Sequence, residues 1–128
     1  MSVMDTARTK GHLLWAGAAI FFMVAAIPVW AHAGNAKEGR KIVITKKLGN
    51  CIACHYLPNV ESPGNIGPNL VKAMQAYSMA DRADVTQWVR DARKFNPHTI
   101  MPPFGANKIL TPQQIDDAVA YLYTLKKQ

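Results

Sequence analysis

Cysteine and acidic residues are scarce in this sequence, with two Cys and eight Asp+Glu among 128 residues. Two cysteines cannot build a disulfide-dense scaffold or a four-thiolate zinc or iron–sulfur site. Also missing are the sustained period-two alternation of a strand, any internal repeat and any low-complexity tail. With 49% hydrophobic and 18% charged residues, the composition is that of a globular protein, and the length allows one domain.

The first 33 residues have the features of an export signal. Residues 1–12 are polar and carry two cations, residues 13–30 form an 18-residue stretch without charge, and residues 31–33 are small-x-small. This order predicts a secretory signal peptide that is cleaved after Ala33. The alternative is an uncleaved membrane anchor, because 18 apolar residues just reach across a bilayer. Helix-breaking Pro28 beside the Ala-x-Ala site favours cleavage.

Cleavage leaves residues 34–128 as the working domain, with a net charge of +6. The sequence thus predicts a protein that acts outside the cytoplasm. Nucleic acid is therefore not the expected partner of its basic surface. So short a chain buries a modest fraction of its surface and often depends on a disulfide, a metal or a cofactor for its stability.

The remaining pattern is helical, and the predicted fold class is all-α. Asn35 is a candidate N-cap, with Glu38 completing a capping box for a first helix that ends near Gly49. Residues 58–69 are too rich in proline and glycine for a regular element, whereas residues 70–77 favour a short helix.

Two further helices are predicted in the second half of the chain. Asp81 is a candidate cap for a helix that stops before Asn96 and Pro97, and residues 96–110 are expected to be extended. Thr111 and Gln114 have the spacing of a capping box at the start of a last helix. Both helices carry apolar residues at helical spacing, namely Val85, Trp88, Val89 and Ala92, and then Ile115, Ala118, Val119, Leu122 and Leu125.

Both cysteines lie in the segment Cys51-Ile52-Ala53-Cys54-His55, which is C-x-x-C-H, the attachment signature of c-type haem. On a helical turn, positions i, i+3 and i+4 project from one face. Two thiols can then reach the two vinyl groups of one porphyrin while the imidazole reaches its iron. The motif predicts one covalently bound haem c.

Three alternatives for the motif are weaker. A zinc site needs two more ligands, and His98 is the one further histidine in residues 34–128. A redox-active C-x-x-C usually belongs to an α/β context, which the sequence does not predict. A plain structural disulfide leaves His55 without a role.

A haem iron has a second axial position, for which Met101 is the preferred candidate. Two prolines follow it, so the segment is expected to be stiff and to hold the thioether with little backbone freedom left to lose. Met74 and Met79 lie in or near helices, where core packing is the simpler explanation. His98, another methionine or an open position remain alternatives.

Pro68 is the candidate that orients His55. A ligating imidazole normally donates its other ring N–H to a carbonyl or carboxylate, and the Pro68 carbonyl follows the motif closely enough to accept it. A proline at the start of the next helix would also explain this residue, and both explanations are compatible.

The chain resembles the SoxX family, the small c-type cytochrome subunits of the SoxAX complex of bacterial thiosulfate oxidation. The resemblance runs from about Gly39 to Leu125. It implies a class I cytochrome c fold, with N- and C-terminal helices crossing near Gly39 and Tyr121. The segments that carry it are residues 49–55 (GNCIACH), 62–68 (SPGNIGP), 96–97 (NP), 101–105 (MPPFG) and 109–111 (ILT).

The resemblance also implies roles for the site residues. Cys51 and Cys54 would be the thioether donors, His55 the proximal iron ligand and Met101 the distal one. A His/Met pair leaves iron with no vacant position for substrate and favours the reduced state, which is typical of electron transfer.

The partners implied by the resemblance are a SoxA-like cytochrome, in a heterodimer, and a downstream cytochrome that accepts the electrons. The SoxA-like subunit would hold the substrate site, where thiosulfate is joined to a cysteine of a carrier protein, the L-cysteine S-thiosulfotransferase reaction. The location would be the periplasm, with no membrane attachment after signal cleavage. No cysteine is left for an inter-subunit disulfide, so association would be noncovalent.

Two other functions stay open on the sequence. A freestanding periplasmic shuttle cytochrome would use its basic surface to dock acidic redox partners. A haem enzyme or gas sensor would instead keep the distal position of the iron open or labile.

Overall fold

The computed structural model describes residues 34–127. The predicted signal peptide, residues 1–33, lies outside the described residues, as does Gln128. Within residues 34–127 the structure contains no strand, so the all-α prediction is confirmed. No helix in this range has both the length and the hydrophobicity of a membrane span. The α-helices are α1 (Ala36–Ile44), α2 (Leu70–Gln75), α3 (Arg82–Asp91) and α4 (Pro112–Thr124). Single 3₁₀ turns occupy Cys51–Ala53, Met79–Asp81, Ala92–Lys94 and Leu125–Lys127.

Helix α1 begins at the predicted cap. Oδ1 of Asn35 accepts the N–H groups of Lys37 and Glu38, at 3.0 and 3.3 Å. The predicted return contact from Glu38 is wrong, because the N–H of Asn35 donates to Oδ1 of Asp117 on α4, at 2.7 Å. Glu38 instead forms an ion pair with Lys41, at 2.9 Å. The start of α1 is therefore held by the last helix as well as by its own cap.

Helix α1 ends at Ile44, earlier than the predicted end near Gly49. The chain then turns, with the N–H of Gly49 donating to the carbonyl of Ile42 at 3.0 Å. Asn50 follows in the left-handed conformation, with φ 47°. Asparagine tolerates this conformation better than most residues. The turn directs the chain into Cys51.

Helices α1 and α4 cross at Gly39, as the resemblance implies. A Cβ added to Gly39 would lie 1.9 Å from the carbonyl oxygen of Asp117 and 2.9 Å from Cβ of Tyr121. Only glycine allows two backbones to approach so closely. Around this crossing lies the core, whose most buried large side chains are Val43, Leu57, Ile115, Val119 and Leu125.

The caps of the later helices are partly as predicted. At the start of α4, Thr111 Oγ1 accepts the N–H of Gln114 at 3.2 Å and Gln114 Oε1 accepts the N–H of Thr111 at 2.9 Å. This capping box is confirmed. Asp81 occupies the N-cap position of α3, as predicted, but its side chain makes no cap hydrogen bond. Its carboxylate instead accepts both the backbone N–H and the hydroxyl of Ser78, at 2.6 and 2.7 Å. These hydrogen bonds from Ser78 hold the pKa of Asp81 below its usual value.

The expectation that residues 96–110 are extended is wrong. The carbonyl of Phe104 accepts the N–H groups of Ile109 and Leu110, at 2.8 and 3.0 Å, so the chain folds back on itself. Phe104 and Leu110 are both buried, and their burial favours the compact turn over an extended segment. Residues 58–69 have no helix or strand, as predicted.

A substitution at the crossing of α1 and α4 can show whether helix packing outweighs the intrinsic helix propensity of alanine over glycine. In an exposed helix, Gly→Ala stabilises by about 1 kcal/mol. At Gly39 we expect Gly39→Ala to lower the free energy of unfolding, by about 1–3 kcal/mol, because the added methyl group collides with the backbone of α4. Urea unfolding of the intact protein measures this. Exposed Lys37→Ala on the same helix is the control, with a change within about 0.5 kcal/mol. Unchanged or increased stability of Gly39→Ala would contradict the close crossing.

Candidate functional site

The C-x-x-C-H segment forms a single helical turn. The carbonyl of Cys51 accepts the N–H of Cys54 at 3.2 Å and the N–H of His55 at 2.9 Å. Cys51, Cys54 and His55 are half-buried, and both cysteines are free thiols. The turn therefore presents two thiols and an imidazole within one compact segment, which is the arrangement that the i, i+3, i+4 spacing predicts.

Burial raises the pKa of the Cys51 thiol from 9.0 to about 11. The thiol is therefore protonated at neutral pH, whereas the attacking cysteine of a redox C-x-x-C motif has a lowered pKa. Within residues 34–127, no three His, Cys, Asp or Glu side chains come together in a way that could hold a metal ion. The described residues thus offer nothing that favours the redox or the zinc alternative.

Residues 64–69 form a loop that lies along the C-x-x-C-H turn, and we refer to this loop together with Leu70, the first residue of α2, as the 64–70 loop. Main-chain hydrogen bonds join the two segments at three points. N–H groups of the loop donate to carbonyls of the turn and its continuation, Gly64 to Ile52 (2.7 Å), Gly67 to Cys54 (2.7 Å) and Leu70 to Tyr56 (3.1 Å). Residues 64–69 have no helix or strand, and these hydrogen bonds give them a defined position.

The 64–70 loop determines how the His55 ring is held. Nδ1 of His55 lies 2.7 Å from the carbonyl oxygen of Pro68. A carbonyl only accepts, so the neutral ring that makes this bond carries its proton on Nδ1. Nε2 then keeps its lone pair, which is the donor that a metal ion needs. The structure therefore brings together His55 and Pro68, the two residues that the sequence pairs.

Gly67 is a site residue that the sequence reasoning missed. A Cβ at Gly67 would lie 2.5 Å from Cε1, 2.7 Å from Nδ1 and 3.0 Å from Nε2 of His55, so the imidazole occupies the space that a side chain would fill. Gly64 allows a similar approach, since its Cβ would lie 2.3 Å from the carbonyl oxygen of Ala53. The sequence contained a signal, because two glycines three residues apart follow the motif in a segment that carries the family resemblance, but it gave no indication of a contact with His55.

The candidates for a second ligand lie in different surroundings. Met101 is half-buried at the edge of the core, and its N–H donates to Oγ1 of Thr99 at 3.2 Å. Met74 is 3% exposed and is part of the core of α2, while Met79 is 64% exposed. His98 is exposed on a turn. Among the three methionines that the structure describes, Met101 is thus the one that is neither buried in the core nor mostly exposed to solvent.

Comparison with known proteins identifies the class. The cytochrome c family matches residues 36–126, and the chain belongs to this family. Its fold is the all-α fold of a class I cytochrome c.

Within this family the chain is a SoxX-like electron-transfer cytochrome. It is similar to a chain in the crystal structure of SoxXA from P. pantotrophus, with 36% identity, 73% of this chain and 82% of that chain covered, and a TM-score of 0.64. It also resembles an uncharacterized lipoprotein of Aquifex aeolicus (strain VF5), with 36% identity over an alignment of 83 residues that covers 60% of this chain. The match spans 37% of that protein's length.

Family membership implies covalent haem c, and the donor set of the described residues fits this group. Two free thiols lie on one helical turn, Nε2 of His55 keeps its lone pair, and half-buried Met101 supplies a thioether. Thiols form thioethers with vinyl groups, and imidazole and thioether are axial donors that iron accepts in cytochromes c.

The contact between Gly67 and His55 gives a prediction. Gly67→Ala is expected to lower the free energy of unfolding, by about 1–3 kcal/mol, because the methyl group forces the imidazole or the loop to move. The same movement weakens the hydrogen bond to Pro68, so the NMR signals of the His55 ring should shift. Exposed Asn65→Ala in the same loop is the matched control, with neither change. Wild-type stability together with unshifted His55 signals in Gly67→Ala would show that the ring does not lie on Gly67.

Proposed function

We propose that this protein is the monohaem electron-transfer subunit of a SoxAX-type complex in periplasmic thiosulfate oxidation. It accepts electrons from a SoxA-like cytochrome and passes them to a downstream cytochrome. The observation that carries this proposal is the similarity to the SoxXA structure, which covers most of the described chain. The oxidative joining of thiosulfate to a carrier-protein cysteine, the L-cysteine S-thiosulfotransferase reaction, belongs to the partner subunit.

The donor set of the described residues supports one assignment of the residues that would hold the cofactor. Cys51 and Cys54 would supply the two thioethers, Nε2 of His55 would be the proximal ligand of the iron and the sulfur of Met101 would be the distal one. The carbonyl of Pro68, 2.7 Å from Nδ1, keeps the ring in the orientation and tautomer that ligation needs. Haem c, when bound, supplies a one-electron iron couple. A methionine ligand raises the reduction potential, which suits a subunit that accepts electrons.

Export is part of the proposal. A leader with the features of residues 1–33 directs the chain out of the cytoplasm, and the name of the Aquifex aeolicus relative, a lipoprotein, supports an exported protein. Both cysteines of the sequence lie in the C-x-x-C-H motif. None is left for a disulfide to a partner, so the mature protein associates with its partner noncovalently.

A freestanding shuttle cytochrome is the second candidate, and the surface charge favours it. Of the cations within residues 34–127, Lys41 and Arg93 form ion pairs, with Glu38 and Asp91. Lys46 and Lys47 are exposed just before the C-x-x-C-H turn. Such a surface attracts acidic redox partners in a manner that salt screens.

Covalent attachment is tested by exporting the protein from a host that matures c-type cytochromes. The wild-type protein is expected to keep its haem after denaturation, because two thioethers hold it. Cys51→Ala and Cys54→Ala should each change the pyridine haemochrome spectrum to that of a single thioether, and the double variant should release the haem. Ala53→Ser, an exposed position inside the motif, is the control and should match the wild type. Wild-type protein of unmodified mass, without colour, would overturn the haem assignment.

The partner is tested by coexpression with a SoxA-like cytochrome. The two chains are expected to co-elute in size-exclusion chromatography at physiological salt. Their complex should separate in denaturing gels without reductant, because no inter-subunit disulfide exists. An unrelated class I cytochrome c is the control and should elute alone. Elution of this protein as a monomer beside the SoxA-like chain would favour the freestanding shuttle.

A further inference from the structure

Residues 101–110, which we call the strap, run from Met101 towards the start of α4. Pro102 and Pro103 fix their own φ angles and so stiffen the first part of the strap. Stiffness alone does not say where the strap lies, however, because a rigid segment can pivot about its ends. The position of the Met101 sulfur therefore depends on what holds the strap beyond the two prolines.

The strap is tied to the end of α3. The carbonyl of Arg90 accepts the N–H of Gly105 at 2.9 Å and the N–H of Ala106 at 3.3 Å. Arg90 is the penultimate residue of α3, and the last four carbonyls of a helix have no partner inside the helix. The strap thus supplies hydrogen-bond donors to a carbonyl at the end of α3, and the same hydrogen bonds attach the strap to this helix. The anchor lies four residues from Met101.

Gly105 fits this anchor because it has no side chain. A Cβ at Gly105 would lie 2.7 Å from Cγ and 3.4 Å from Cα of Arg90, and 3.0 Å from Cδ1 of Ile115. Ile115 is 1% exposed and belongs to α4, so it cannot move aside freely. No described glycine has a positive φ. The position therefore requires glycine for space and not for backbone conformation.

We propose that Gly105 is the positioning residue that determines whether the Met101 sulfur reaches the haem iron. This rests on the proposed role of Met101 as the distal ligand. A larger residue at position 105 lifts the strap away from α3 and α4. With φ fixed at Pro102 and Pro103, few backbone angles remain between 105 and 101 to absorb the shift, so the displacement reaches Met101.

The test uses the haem-containing protein and two optical measurements. The near-infrared charge-transfer band of the ferric protein reports methionine on iron, and carbon monoxide binding to the ferrous protein reports how often the sulfur is detached. Gly105→Val is expected to weaken the band and to speed carbon monoxide binding roughly tenfold, which corresponds to about 1.4 kcal/mol in the detachment equilibrium. Met101→Ala sets the limit of complete loss. A full band in Met101→Ala would mean that the distal-ligand proposal itself fails, whatever Gly105→Val does.

A rescue variant separates positioning from a general loss of packing. Gly105→Ala is expected to show a smaller change of the same kind. Adding Arg90→Ala removes the Cγ atom that the new methyl group would meet first, while it keeps the Arg90 carbonyl, so the band should recover in part. Exposed Asn107→Ala in the same strap is the control, with wild-type band and rate.

The proposal is overturned by a wild-type band and a wild-type carbon monoxide rate in folded Gly105→Val, even if its free energy of unfolding has fallen. Such a result would make the glycine purely structural. If Gly105→Val does not fold, Gly105→Ala with and without Arg90→Ala decides the question by the same two measurements. An unchanged band in both of these variants would equally reject the positioning role.

Discussion

The contact between the C-x-x-C-H turn and the 64–70 loop is the constraint on which the site depends. The loop approaches the turn closely because Gly64 and Gly67 have no Cβ, and main-chain hydrogen bonds to Ile52 and Cys54 then hold it there. Only in that position does the Pro68 carbonyl reach His55. One packing arrangement thus sets the orientation of the ring, its tautomer and the availability of Nε2.

The crossing of α1 and α4 supports this arrangement from the other side. Gly39 lets the two backbones touch, and Asp117 of α4 accepts the N–H of Asn35 at the start of α1. The far end of α1 leads into the C-x-x-C-H turn through the hydrogen bond from Gly49 to Ile42. The position of Cys51 is therefore fixed by a helix whose two ends are both tied down. A domain this small gains a defined site from backbone contacts more than from a large core.

The sequence predicted those features whose partners lie nearby in the chain. The Thr111 and Gln114 box needs residues three positions apart, and it formed as expected. The capping box of Glu38 did not form, because Asp117, which lies 82 positions from Asn35, supplies the acceptor. The prediction that residues 96–110 are extended failed for a related reason, since the burial of Phe104 and Leu110 and the distant Arg90 carbonyl favour a turn that packs against the rest of the domain. Gly67 was missed because a contact with an imidazole ring leaves no local pattern.

Both proposed iron ligands come from segments outside the α-helices, and each segment is held in place by contacts with a neighbouring segment. His55 is held by the 64–70 loop, and the strap of Met101 is held by the end of α3. A ligand on a helix, such as Met74, would already be used for packing, and withdrawing it from the core costs about 2–5 kcal/mol by analogy with Met→Ala substitutions. A half-buried methionine on an anchored strap avoids this cost. If His55 and Met101 hold the iron as proposed, the same two anchors would limit how far either ligand moves when the iron changes its charge, which is the property that an electron-transfer centre requires.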